Sequence, residues 1–295
     1  MRRLARAWPV LVGAAALGWV ALTFDWGQAG AALARIRPWP LLPEVFLLSL
    51  AVYAACAVRW MAISRLPWRA RTMASVHAYV TVTIALGIAT PMQLGEALKV
   101  KYARDAGLPL GASAVNLVQE RLLDLAAIAA MAAAGLLHGL TGSAALALAA
   151  LLLPVPVALL PRLGRRWIAR SPRLLAWTGP PLPAPAVGAV LAATVAKWGL
   201  TLATWLALLA AVDVVPGPWQ GMLLLGAVAG AGIVSMVPAG LGVQEVSAMA
   251  LLAAMGYPAE AAEAGALALR LLLPVMLVIG VLHLPLLRHG APRNG

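Results

Sequence analysis

Five ionisable side chains stand where an apolar chain should have none. Glu96, Arg121, Lys197, Glu245 and Arg270 lie within or beside long apolar runs. A charged side chain at the bilayer centre costs about 2.5–3.5 kcal/mol on the mildest scale, so each needs a partner or water. Lys197 is the sharpest case, with mostly apolar residues on both sides from Val187 to Val212. Snorkelling from that depth is difficult. It must face a wet cavity or an acidic partner, with Trp198 at the same wall.

Three short stretches set these charges beside helix breakers. The first reads Thr90-Pro91-Met92-Gln93-Leu94-Gly95-Glu96-Ala97-Leu98-Lys99. Pro91 and Gly95 end one helix and start another. Free amides at a helix start attract anions. Glu96 can cap that start. Lys99 and Lys101 can hold a phosphate, or pair instead with Glu96 and Asp105 at helical spacing. The second stretch reads Val237-Pro238-Ala239-Gly240-Leu241-Gly242-Val243-Gln244-Glu245. Pro238, Gly240 and Gly242 again break the helix, and Gln244 and Glu245 open the next one. The third is Glu120-Arg121-Leu122-Leu123-Asp124. Spacings of three and four put one arginine and two carboxylates on roughly one side of a helix. That cluster either anchors a helix end at the interface or forms an ion-pair gate in a polar cavity.

The stretches recur. A shift of 149 residues sets Glu96 on Glu245, Gly107-Leu108-Pro109 on Gly256-Tyr257-Pro258, and Arg121-Leu122-Leu123 on Arg270-Leu271-Leu272. By this repeat Glu245 should pair with Arg270, and Glu96 should approach Arg121.

The rest of the composition says what must position these residues. Of 295 residues, 63% are hydrophobic and 11% charged, against about half and about a quarter in soluble domains. A soluble enzyme and a disordered chain are both excluded. The apolar runs are Trp8–Phe24, Leu41–Val58, Thr72–Ala89, Leu122–Leu137, Ala144–Leu160, Ala186–Val212, Trp219–Val237 and Ala261–Leu287. The first follows Arg2, Arg3 and Arg6 and reads as an uncleaved span. Pro154, Pro156 and Pro274 should kink their helices.

Eight simple crossings would put the most basic loop, with Arg162, Arg165, Arg166, Arg170 and Arg173, outside the cell, against the positive-inside rule. Two re-entrant hairpins repair this: Thr72–Ala89 with Gly95–Ala106, and Trp219–Val237 with Gln244–Met255. The expected fold is then all-α and polytopic, with about six full spans, two re-entrant helical hairpins and two inverted-topology repeats. It forms one integral membrane domain over residues 1–295, with halves at about 41–140 and 190–288. Seventeen of the 22 cations, Arg59 among them, fall on the cytoplasmic side with both termini. The net charge of +12 thus reads as loop flanks and not as a nucleic-acid surface. There is no Walker A motif, no zinc spacing and no nucleophile triad, and Cys56 is the single cysteine. No metal, cofactor or enzymatic activity is expected.

At these motifs the chain resembles the membrane domain of lysylphosphatidylglycerol synthases, a flippase-like family. The resemblance rests on Gly95-Glu96-Ala97-Leu98-Lys99, on Gln119-Glu120-Arg121-Leu122-Leu123-Asp124-Leu125, and on Pro238-Ala239-Gly240-Leu241-Gly242-Val243-Gln244-Glu245. It implies a bacterial inner-membrane protein that moves lipid headgroups between leaflets. The family often has Arg where Gln93, Lys99 and Gln244 stand, so anionic contacts are fewer at those points. No aminoacyl-transferase activity carries over, because the chain ends at Gly295.

The combined expectation is a lipid transporter with Gln93, Glu96, Lys99, Glu120, Arg121, Asp124, Lys197, Gln244, Glu245 and Arg270 around a polar cavity. Its substrate would be an anionic or aminoacylated phospholipid, or a polyprenyl-phosphate-linked glycan. A homo-oligomer is compatible with this reading. A lipid-modifying enzyme and an accessory subunit of a lipid-synthesis complex are the alternatives.

Overall fold

A computed structural model describes residues 22, 27, 30, 31, 34, 36–105, 107–163 and 182–287, without the side chains at 89, 91–93 and 161–163. The expected span Trp8–Phe24, apart from Leu22, and the loop cations Arg165, Arg166, Arg170 and Arg173 lie outside the described residues.

Every regular element among the described residues is helical. In chain order they are α1 (Pro38–Ser64), α2 (Ala70–Ala89), a 3-10 segment (Pro91–Ala97), α3 (Leu98–Asp105), α4 (Leu110–Thr141), α5 (Ala144–Ala150) and α6 (Pro154–Leu163). After residue 181 come α7 (Ala184–Ala210), α8 (Pro218–Ser235), a second 3-10 turn (Pro238–Gly240), α9 (Val243–Ala254), α10 (Ala259–Arg270) and α11 (Leu272–Leu287). Five helices are long and apolar enough to cross a membrane: α1, α4, α7, α8 and the α10–α11 pair. Large apolar side chains such as Leu47, Val195, Val234 and Val281 point outward, which suits lipid and not water. The protein is an all-α polytopic membrane protein.

Helix ends follow local chemistry. α1 stops at Arg65, whose φ of 53° is left-handed, just before Pro67. α4 stops at Gly142, φ 68°, whose amide closes back on the His138 carbonyl at 2.8 Å; only glycine adopts that conformation at no cost. Ser143 then caps α5 by accepting from the Leu146 amide at 3.3 Å.

Two helices break where kinks were expected. The run Ala144–Leu160 is interrupted at Leu151–Leu153, and Pro154 starts α6. A proline is tolerated at that first helical position because its missing amide has no partner there in any helix. Pro274 breaks the last run at Leu271, since its ring clashes with the carbonyl four residues back, that of Arg270.

The packing is paired. α1 lies along α7, α4 along α8, and α11 along α2. Small residues permit these approaches: a Cβ on Gly135 would meet the Trp219 carbonyl of α8 at 2.3 Å, and one on Gly226 would meet the Ala132 amide of α4 at 2.6 Å. One apolar core gathers Val52, Cys56, Trp60, Val76, Val80 and Ala103 from α1–α3. Another gathers Leu208, Leu209, Leu224, Leu252 and Ala266 from α7–α10.

Candidate functional site

The site begins with a helix that has no breaker. α4 runs unbroken through Gln119–Asp124, so Glu120 and Asp124 project from one face, one turn apart. Both are buried, at 0% and 4% exposure. Buried carboxylates need paired cations, and three other elements supply them.

Arg59 of α1 reaches across with both terminal nitrogens. Nη1 donates to Asp124 Oδ1 at 2.7 Å; Nη2 donates to Asp124 Oδ2 at 3.0 Å and to Glu120 Oε1 at 3.1 Å. Lys99 of α3 donates to Glu120 Oε2 at 2.9 Å and to Glu96 Oε2 at 2.7 Å. Its ammonium also sits 5.6 Å from the Trp60 ring centre. Lys197 of α7 donates to Asp124 Oδ1 at 2.6 Å, and the Trp198 indole donates to the same oxygen at 3.1 Å. Arg121 donates to Glu96 and lies 3.9 Å from Asp124.

Glu96 arrives through the first helix break. The backbone there is braced by Thr90, whose hydroxyl accepts from the Gly95 amide at 2.9 Å and donates to the Leu86 carbonyl at 2.9 Å. A Cβ on Gly95 would meet Leu86 and Gly87 backbone atoms at 2.4–2.6 Å. The segment therefore folds flat against the end of α2 only because residue 95 is glycine.

The second break builds the matching arrangement. Arg270 donates to both Glu245 oxygens, at 2.6 Å from Nη2 to Oε2, and to the carbonyls of Ala239 at 2.8 Å and Gly240 at 3.0 Å. Gly240 and Gly242 have φ of 60° and 78°. Gln244 packs over Gly232 and Gly240, where a Cβ would meet its amide nitrogen within 2.7 Å.

The contacts repeat as the residues do. Glu96–Arg121 and Glu245–Arg270 each span 25 residues. Gly107 and Gly256 both have φ 91°. The Leu108 amide closes on the Ala103 carbonyl at 2.9 Å, and Tyr257 on Leu252 at 3.1 Å. The 149-residue register begins at the glutamates; the breaking prolines, Pro91 and Pro238, are two residues closer together. The second break is thus longer, and carries the additional glycine.

Two adjoining cavities lie at this network. The larger, about 420 Å3, is bordered by Arg121, Asp124, Gln244, Glu245, Arg270 and Trp205. The smaller, about 190 Å3, is bordered by Arg59, Lys99, Glu120, Lys197, Ser49 and Tyr53 among others. Arg121 and Asp124 border both.

The sequence-derived candidates therefore fall into two groups. Glu96, Lys99, Glu120, Arg121, Asp124 and Lys197 converge on one network; Gln244, Glu245 and Arg270 form the second, across the larger cavity. The Gln93 side chain lies outside the described residues, as does that of Pro91. Lys101 and Arg104 are on the surface, with Lys101 donating to Asp105 at 2.8 Å.

Arg59 is the correction. Counted by sequence with the cytoplasmic loop cations, it is 1% exposed and central to the network. The apolar run was ended at its charge, but Trp60-Met61-Ala62-Ile63 continues it, and α1 carries on to Ser64. Apolar residues on both sides of Arg59 were the available signal, as they were for Lys197. Among the described residues no three His, Cys, Asp or Glu side chains converge as metal ligands do.

No curated protein and no solved structure matches this chain. Residues 6–280 match the family model of the lysylphosphatidylglycerol synthase TM region. With nearly its whole length matched, the chain belongs to the family of that transmembrane region.

Proposed function

We propose that this chain is a lipid transporter that passes a polar headgroup through the two adjoining cavities while the tails stay in the bilayer. The observation that carries the reading is the shared wall: Arg121 and Asp124 border both cavities, with cations and carboxylates around them. A polar headgroup needs such a lining to leave water, because hydrocarbon offers it no hydrogen bonds. The substrate is an anionic or aminoacylated phospholipid, or a polyprenyl-phosphate-linked glycan. No enzymatic step is assigned.

The recurring contacts favour two related halves, and the positive-inside rule favours their inversion, a plan in which interrupted helices meet near the midplane. Each helix break, with the helices on either side, is then a re-entrant hairpin. The location is the bacterial inner membrane, with both termini cytoplasmic by the charge rule.

A second reading, a non-transporting subunit of a lipid-synthesis complex, is favoured by the full burial of Lys99 and Glu120. Headgroup translocation in proteoliposomes separates the two. Transport should occur for at least one candidate lipid, and should fall at least about tenfold in Lys197→Ala and Glu245→Ala, the loss expected when one partner of a buried charge pair is removed. Folded variants that transport at the full rate would remove both residues from the mechanism, and no movement of any candidate lipid would favour the subunit.

A further inference from the structure

Two of the paired packings hold different residues between their helices. The 149-residue shift carries α2 onto α8, and α4 onto α10 with α11, so the α2–α11 and α4–α8 seams are equivalent. In the α4–α8 seam Gly226 lets the backbones touch: a Cβ there would meet the Ala132 amide at 2.6 Å and the Ile128 carbonyl at 2.7 Å. Ala134 is buried nearby. The counterparts of Gly226 and Ala134 are His77 of α2 and His283 of α11. There two imidazoles meet edge to face, with centroids 5.1 Å apart and planes at 72°. The repeated packing needs no histidine at this place, so it does not account for the pair.

The contact suits neutral rings. His283 Nδ1 lies 2.8 Å from the Ile279 carbonyl. A carbonyl only accepts, so Nδ1 carries the proton and Nε2 is left to take a second. Imidazole takes that proton within the ordinary range of pH. Two imidazoliums at this separation repel, and no neighbouring carboxylate is available to compensate. Neither α2 nor α11 contains one. The first 3-10 segment offers Glu96, which already binds Lys99 and Arg121. α3 offers Asp105, bound to Lys101 on the surface, and Tyr102, stacked on Tyr79. In α1, Glu44 is exposed at the far end, Tyr53 donates to the Met276 carbonyl, Cys56 is a thiol, and Arg59 is held by Glu120 and Asp124. The second 3-10 turn has no ionisable side chain, and Glu260, Glu263 and Arg270 of α10 lie beyond the opposite end of α11. Arg69 and Arg71 at the start of α2 only add positive charge. His283 is the group whose charge bears on His77.

The seam reaches the cavities. One turn from His283, a Cβ on Gly280 would meet that of Ala85 at 2.3 Å. Ile88 of α2, with Leu272 and Met276 of α11, borders both cavities. Parting the helices at their histidine end would tilt these side chains. The α4–α8 seam responds to acid differently. Its ring contact is His138 stacked on Trp219, with centroids 5.0 Å apart and planes at 18°. A cation is attracted to an indole face, and neither α8 nor α5 carries an ionisable side chain.

We propose that the α2–α11 seam is a pH-sensitive joint, closed while His77 and His283 are neutral and parted when both are protonated. The joint goes beyond the transport reading and rests on it only for the side of the membrane whose pH is read, the cytoplasmic one.

Spin labels on the full chain in a neutral detergent and a Cys56→Ala background test it. One labelled pair, Ala74→Cys with Leu284→Cys, uses exposed positions of α2 and α11; the other, Gly139→Cys with Pro218→Cys, uses exposed positions of α4 and α8. Distances are read by electron paramagnetic resonance at about pH 8 and about pH 5, on either side of the ordinary imidazole value of about 6.5. In acid the α2–α11 distance should lengthen by about 2 Å or more, the scale of helix shifts in switching proteins. The α4–α8 distance should not lengthen. His77→Gln and His283→Gln should each keep α2–α11 closed at both pH values, because a single imidazolium has no partner to repel. Either variant serves alone if the other does not fold. An α2–α11 distance that ignores pH, a lengthening that survives in a folded glutamine variant, or equal lengthening of both seams would overturn the proposal. Translocation is scored separately. A seam that parts in acid while no lipid moves leaves the joint and removes the transport reading; lipid movement with the α2–α11 distance fixed does the reverse.

Discussion

Asp124 is where the most donors meet. Arg59 binds both its oxygens, and Lys197 and Trp198 share one of them. Removing one partner of a buried ion pair strands the other charge, at about 3–5 kcal/mol. Asp124→Asn should therefore destabilise the protein by about that amount, read from denaturation midpoints in detergent. Adding Lys197→Met to Asp124→Asn should restore part of the loss, because one stranded cation is gone. A cost below about 1 kcal/mol for Asp124→Asn would contradict the buried network, since that is the scale of exposed pairs. Lys101→Ala supplies that comparison. Its pair with Asp105 is 2.8 Å long but has side chains 71% and 55% exposed, so its loss should barely move the midpoint.

At the scale of elements, the helix breaks depend on glycines that cannot be replaced. Gly95→Ala would drive a methyl into the backbone of Leu86 and Gly87. Overpacking against backbone costs about 1–3 kcal/mol or more, so Gly95→Ala should lower the denaturation midpoint and displace Glu96 from Arg121. Gly139→Ala meets nothing within 4 Å and lies inside α4, so it should be neutral or stabilising by up to about 1 kcal/mol. Equal effects of the two would show that the close approach is not what fixes the break. The breaks were legible in sequence because proline and glycine act locally. So were the pairs Glu96–Arg121 and Glu245–Arg270, because rare charges repeated at one spacing. Arg59 was not: its partners are 61 and 65 residues away, and a charge at the end of an apolar run reads as a boundary until the packing is known. The convergence of α1, α3, α4 and α7 on Asp124 and Glu120 is likewise tertiary, and no local pattern encodes it. The break in the last run, by contrast, was legible from Pro274, while Leu125, its counterpart by the repeat, leaves α4 whole. That difference ends α10 at Arg270, whereas Arg121 stays inside a continuous helix.

At the scale of the molecule, the helix pairings exchange under the repeat. α1 corresponds to α7, α2 to α8, and α4 to α10 with α11. Swapping the halves returns the α1–α7 contact to itself and turns the α4–α8 contact into the α11–α2 contact. A two-fold relation between halves has this property, and its axis decides the topology. An axis in the membrane plane inverts one half; an axis along the membrane normal does not. Lys101 and Ala250 decide between them. They are 149 residues apart, at equivalent places in α3 and α9, and both are exposed. Cys56 is the single native thiol and is buried, so Cys56→Ala supplies a background for labelling with little cost expected in a site that keeps a small side chain. In that background, Lys101→Cys in intact cells should resist a membrane-impermeant maleimide and react only after the membrane is opened. Ala250→Cys should react from outside. The opposite reactivity at both positions would keep the inversion but reverse the orientation, against the positive-inside rule. Reaction of both from the same side would mean a parallel repeat, and the paired helix breaks would then open toward one face of the membrane and not toward a shared midplane.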